Sequence, residues 1–282
     1  MTDELSNKAL IVLDKILNGG YGSGNWGHSG RPGLVGGSAK GTGGAVAGRN
    51  KHGLERYISR IKKPLTTKKM EAIFGKQVEP DDYNPVTQMA VNPNYKKSSA
   101  YQSNCQLVVP TLEASLRGFK VQAKGRKESV ENDNYSALLG YRDYAPKVFC
   151  QDFWDGEDGQ PAKSYKDQAI FRTVTPSGTR YASWTKKERA RMKKHIESYP
   201  ENARVQVTFN YTRKRTGHTV MLMRVSEDIN PNGYVIFESQ ANPPRMVSPT
   251  NYWSDKAYVT MMRVDNKPFN EVLVNGIMEK KK

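Results

Sequence analysis

Glycine decides where this chain cannot build a core. Residues 19–48, "GGYGSGNWGHSGRPGLVGGSAKGTGGAVAG", hold 13 of the chain's 24 glycines. Glycine loses more backbone freedom on ordering than any other residue, and it brings no side chain to bury. Such a stretch reads as a flexible arm that becomes ordered only when another surface holds it. We assign residues 19–53 to this arm. His28 and His52 lie in it without a Cys or Asp cluster, so they read as solvated rather than metal-ligating. The core must come from the remaining chain. Only 37% of all residues are hydrophobic and the mean hydropathy is −0.74. At 31.7 kDa there is still enough chain for one or two domains with a real interior.

The segments flanking the arm are short. In residues 1–18, Leu5, Ala9, Val12, Leu13 and Ile16 fall near helical spacing before Gly19-Gly20. This predicts an amphipathic helix that needs a surface to dock on. The segment lacks the basic start and small-residue cleavage site of a signal peptide. No run of about 18 apolar residues occurs, so no membrane partner is expected. Residues 54–97 read as an irregular connecting region. "LERYISRIKK" has a short amphipathic pattern, and "GKQVEPDDYNPVTQMAVNPNYKKSS" is rich in turn formers.

Beyond residue 98 the pattern becomes globular. "CQLVVPTLEASLRG" predicts a helix with Gly118 at the C′ position, although Pro110 argues for a kink or a late start. "FKVQAK" reads as a short strand. "SWTKKERARMKKHIESYP" has Thr185 as N-cap, Glu188 three residues on and Pro200 beyond the end. "ARVQVTFNYT", "GHTVMLMRV", "GYVIFESQ" and "KAYVTMMRVDN" read as strands, the middle two joined by a turn over "SEDINPN". A helix followed by strands in series predicts an α+β fold with a mainly antiparallel sheet.

Charge and cysteine content narrow the chemistry. Forty-four Lys and Arg against 28 Asp and Glu leave +16. This surplus favours DNA, RNA or an acidic protein surface as partner; the alternative is an ordinary surface of scattered lysines. Two cysteines make no disulfide scaffold and suit a reducing compartment. Cys150, in "KVFCQDFW", has apolar neighbours and reads as core. Cys105 follows Asn104 at the predicted helix start. There the helix dipole lowers a thiol's pKa, but a helical cysteine can equally be a packed core residue.

His195 sits on a strongly basic helix and reads as solvated. His218 opens an apolar strand. If strands 218–225 and 233–240 pair through the intervening turn, residues whose numbers sum to about 458 face each other. His218 then lies across from Gln240 and diagonal to Glu238, all three on one face. A slip of one residue breaks this arrangement. The competing reading is an ordinary polar sheet face.

Taken in order, "NCQLVVPTLEASLRGFKV", "GHTVMLMRV", "GYVIFESQANP" and "VTMMRVDNKPFNEVLVNGIMEKK" resemble the papain-like domain of phage minor head proteins and polymorphic toxins. "GNWGHSGRPGLVGGS" is similar to a Gly-rich segment of phage head-associated proteins. The resemblance spans residues 98–282 and implies a nucleophile helix packed on an antiparallel sheet. Carried over, the nucleophile falls on Cys105, the base on His218 and the acid on Glu238, where the family usually has Asp. Ser239 stands where the family has Pro. Gln240 takes the orienting position, and Gln102 or Asn104 would join the Cys105 N–H in holding an oxyanion. The implied chemistry is a Cys-His-acid attack on amide bonds by a hydrolase or deamidase, with no cofactor and no metal. The implied setting is the virion or host cytoplasm. Residues 1–50 would contact capsid or portal proteins, the basic surface DNA, and the site a host protein substrate. The alternative is a non-catalytic minor virion protein using the same scaffold.

Overall fold

A computed structural model of the chain describes residues 64–78, 88–126, 148–150, 167–175, 177, 182–213, 216–247 and 249–282. The predicted N-terminal helix, the Gly-rich arm, the "LERYISRIKK" segment and most of residues 127–166 lie outside the described residues. The elements run α1 (Thr67–Phe74), α2 (Ser99–Gln102), α3 (Cys105–Leu116), β1 (Val121–Ala123), β2 (Gln168–Arg172), α4 (Lys186–Glu197), β3 (Arg204–Tyr211), β4 (Gly217–Arg224), β5 (Tyr234–Glu238), β6 (Arg245–Val247), β7 (Lys256–Arg263), α5 (Glu271–Ile277) and β8 (Met278–Lys280). The chain is α+β. A six-stranded antiparallel sheet has the order β2-β7-β3-β4-β5-β6, and β1 pairs with β8 in a second, two-stranded sheet.

Alternation along the central strands buries both faces of the large sheet. On one side, Met221, Met223, Val235 and Phe237 pack with Val108, Val109, Leu112 and Leu116 of α3. On the other, Val220, Leu222, Val205 and Ile236 pack with Met192 and Ile196 of α4. Each such buried aliphatic side chain contributes about 1.5–3 kcal/mol of transfer free energy. A third cluster joins α1, α3, α5 and the small sheet through Met70, Phe74, Leu107, Val121, Leu273 and Met278.

Helix α3 runs from Cys105 through Pro110 without the late start its proline suggests. Proline removes one backbone donor and crowds the preceding turn, while the hydroxyl of Thr111 donates to the Leu107 carbonyl at 2.7 Å. Gly118, at φ +94°, closes the helix as expected. The N–H of Phe119 meets the Ala114 carbonyl and that of Gly118 the Ser115 carbonyl, the paired bonds of a Schellman ending. In α4, the Thr185 hydroxyl accepts the Glu188 N–H at 3.1 Å, as the spacing predicts.

The connecting region is more than connection. Within 54–97, Thr67–Phe74 is helical. Leu65, Met70 and Phe74 share a core cluster with Leu107, and Met89 and Val91 share one with Val108. These segments belong to the same core as residues 98–282.

Candidate active site

The β4–β5 hairpin sets the first two members of the site. Met221 pairs with Phe237 and Met223 with Val235, so facing numbers sum to 458, the register read from sequence. His218 is the second residue of β4 and Glu238 the last of β5. The ring Nε2 of His218 lies 2.9 and 2.7 Å from the two carboxylate oxygens of Glu238. Nε2 thereby donates to the carboxylate, and Nδ1 is the ring nitrogen left for another partner.

Cys105, the first residue of α3, is half-buried and lies near enough to His218 and to the Thr219 backbone N–H for both to act on its thiol. Burial by itself raises the thiol's pKa. The hydrogen bond and charge of His218, with the Thr219 N–H, outweigh it and hold Cys105 below the ordinary thiol value. Burial pulls His218 down, but the Glu238 charge and the bonds to Cys105 and Glu238 raise it well above the usual imidazole range. Burial likewise raises Glu238, and the His218 charge and hydrogen bond, Arg245 and the Gln240 N–H reverse that and lower it. Arg245 contributes because β6 places it directly opposite Glu238. Each of the three shifts runs toward the charged form: thiolate, imidazolium and carboxylate.

Gln240 and Gln102 meet at the same end. The Gln240 side chain donates to the Gln102 carbonyl at 2.7 Å, while the Gln102 side chain is exposed. Asn104 corrects the expectation that it could serve an oxyanion. It is buried, and its amide nitrogen donates to the Asn92 side-chain oxygen at 3.2 Å and the Lys124 carbonyl at 3.0 Å. Both protons are spent within the fold. The Asn104 carbonyl accepts the Leu107 and Val108 N–H groups and opens α3.

Asn92 is the residue that sequence reading missed. It is 1% exposed. Its amide nitrogen lies 3.0 Å from the Tyr101 carbonyl, 3.2 Å from Asn104 Oδ1 and 2.7 Å from the Gln240 carbonyl. One side chain thus ties together the segment before Cys105, the start of α3 and the strand end carrying Glu238. Its place in a turn-rich stretch gave no local signal of this.

An aromatic wall flanks the imidazole. Phe209, paired with His218 across β3 and β4, sets its ring 5.9 Å from the imidazole, edge to face. Tyr211 and Tyr252 stand 5.4 and 5.9 Å from Phe209. Burial and the Glu238 charge push the Tyr211 hydroxyl up to about 12 and raise that of Tyr252 further, so both are neutral donors at ordinary pH. Ser239, between Glu238 and Gln240, is buried with no hydrogen-bond partner for its hydroxyl.

The other expected residues fall elsewhere. Cys150 is half-buried and its thiol lies 3.7 Å from the Phe269 carbonyl. His195 is not simply solvated. Its Nε2 lies 2.8 Å from the Tyr199 hydroxyl, and its ring packs 5.5 Å from that of Phe171. Both partners lie where a helix i, i+4 pair and the sheet face bring them, which the basic composition of α4 masked. Among the described residues no group of His, Cys, Asp and Glu is arranged to hold a metal ion. No family model, curated protein or solved structure matches the chain.

Proposed function

We propose that this chain is a phage head-associated protein whose papain-like domain acts on amide bonds through Cys105, His218 and Glu238. The observation that carries the chemistry is the placing of the Cys105 thiol beside an imidazole whose Nε2 is hydrogen-bonded to both oxygens of Glu238. A nucleophile, a base and a group orienting the base are the parts acyl transfer needs. The four ordered motifs support the papain-like and phage assignments.

In this reading the Cys105 thiolate attacks the carbonyl carbon of an amide. The oxyanion is held by the Cys105 N–H at the start of α3, with Gln102 as the side-chain donor. The C–N bond then breaks, and the His218 imidazolium gives its proton to the leaving amine. Water, deprotonated by His218, attacks the thioester and releases the acid and the thiolate. Glu238 keeps its carboxylate throughout, stabilising the imidazolium. Residues 1–50 contact the capsid or portal.

The deciding experiment is iodoacetamide alkylation of the full chain across pH 5–10, with peptide mapping to separate Cys105 from Cys150. Cys105 is expected to react at lower pH than an ordinary thiol. In His218→Ala that reactivity moves to alkaline pH, because burial is then opposed only by the Thr219 N–H. Equal, slow labelling in both proteins, rising only in base, rejects the enzyme and leaves the non-catalytic scaffold. For the virion assignment, loss of co-sedimentation with phage heads on deleting residues 1–50 is expected; the absence of any head association rejects it.

A further inference from the structure

The net charge says that a polyanion suits this protein, and the fold says where. Helix α4 carries six Lys or Arg against two Glu, a quarter of the chain's net charge in 12 residues. Met192 and Ile196 anchor its inner side in the core. Lys186, Lys187, Arg189, Arg191, Lys193 and Lys194 are all exposed. Two of them have acidic partners: Arg191 meets Glu188 at 2.8 Å, and Lys193 meets Glu197 at 3.6 Å with both side chains more than half exposed. Lys186, Lys187, Arg189 and Lys194 have no ion-pair partner among the described residues.

We infer that the outer face of α4 is a docking surface for the phosphate backbone of duplex DNA. Helical geometry puts the pairs Lys186/Lys187 and Lys193/Lys194 on one face, two turns apart. Their separation along the axis is about 10 Å, close to the ~12 Å width of the major groove. Exposed Ala190 lies between the two pairs, so no bulky side chain keeps a phosphate strand away. An anionic membrane is the weaker match. A helix that binds a bilayer needs an apolar face to insert, and the apolar residues of α4 are already spent in the core. No residue of the Cys105 site lies on α4, and the lysines named here are on the helix side turned away from the sheet.

The test is fluorescence anisotropy of the full chain with a labelled random-sequence 20-base-pair duplex, at 50–200 mM salt. Wild type is expected to bind with a log–log salt slope of about −3 to −4, the value for roughly four phosphate contacts. The variant K186E/K187E/K193E/K194E loses at least tenfold in affinity and most of the slope. The control K68E/K96E/K97E/K120E, at exposed sites elsewhere, keeps both. Cys105→Ser also binds as wild type, so failure here is distinguishable from failure of the proposed chemistry. The inference is overturned if the control loses as much as the α4 variant, if the α4 variant binds as wild type, or if the protein binds phosphatidylserine vesicles but no duplex. Thermal melts check that both charge variants are folded.

Discussion

Replacing Glu113 with Leu tests what holds α3 to the sheet. Glu113 is 0% exposed in the middle of α3. One carboxylate oxygen accepts from Arg204 Nε at 2.6 Å; the other accepts from Arg204 Nη2 at 2.9 Å and Arg117 Nε at 2.7 Å. The leucine takes away the carboxylate that faces Arg204, itself only 7% exposed. Arg117 suffers less. It is partly exposed and keeps the carbonyls of Val264 and Lys267. Removing one partner of a buried ion pair costs about 3–5 kcal/mol, against a total stability of roughly 5–15 kcal/mol. At about 2–4 °C per kcal/mol for a domain of this size, the melting temperature falls by about 6–20 °C. Circular dichroism melts and urea titration measure both quantities. Glu113→Leu with Arg204→Met is expected to recover most of the loss, since an apolar replacement of the whole pair needs no counterion. Acid adds a second readout. Burial raises Glu113, but Arg204 and Arg117 hold its folded pKa below the ordinary value. Its contribution is therefore present above about pH 4.3, the unfolded value, and is lost as pH falls through the folded one. Wild type and Glu113→Leu should converge in acid. A single variant within about 1 kcal/mol of wild type, or a double variant as weak as the single, refutes the reasoning.

Two further substitutions bear on the site. Glu238→Gln keeps the side chain's shape and removes its charge, so His218 loses the largest influence that raises it and the positive charge beside Cys105 is weakened. Iodoacetamide labelling of Cys105 should fall sharply at pH 6 and recover at pH 9.5, whereas a merely steric effect would slow both. Asn92→Leu strips a buried donor from Tyr101, Asn104 and Gln240. Unpaired buried acceptors cost about 1–3 kcal/mol each, so urea titration should show a loss of 2 kcal/mol or more, with slower Cys105 labelling in the protein that remains folded.

The legible features of this chain are the local ones. The 458 register needs only a hairpin and its turn, so His218 and Glu238 could be placed side by side from two adjacent strands. Gly118 and Thr185 mark helix ends through bonds spanning a few residues. What escaped is nonlocal or short. Glu113 and Arg204 are 91 residues apart, and Asn92 and Gln240 are 148 apart; no periodicity links either pair. Helix α1 buries only Met70 and Phe74, too little pattern to stand out from a Lys-rich stretch. Strand β6 has three residues, too few to alternate visibly, yet it supplies Arg245 opposite Glu238.

The motifs that suggested an enzyme divide into chemistry and architecture, and the division explains how a sulfur on a helix can be fixed against a ring on a strand. Arg117, of the first motif, reaches the carbonyls of Val264 and Lys267 in the last, and its guanidinium sits 4.7 Å above the Phe269 ring. Asp265, of the last motif, accepts the Arg204 N–H at 2.9 Å and binds the Arg263 side chain. With Glu113, these residues lock the C-terminal half of α3 to β3 and to the end of β7. The N-terminal end is locked separately, by the Asn92–Asn104 amide pair and by Gln240. A rigid helix held at both ends has little freedom left to slide, so the position of Cys105 relative to His218 is set by groups that never touch the sulfur. The Gln240 N–H also acts on the Glu238 carboxylate, so the same clamp bears on Glu238. The extra methylene of Glu over Asp then serves the geometry: it spans the diagonal between strands and brings both oxygens within 2.9 Å of one ring nitrogen.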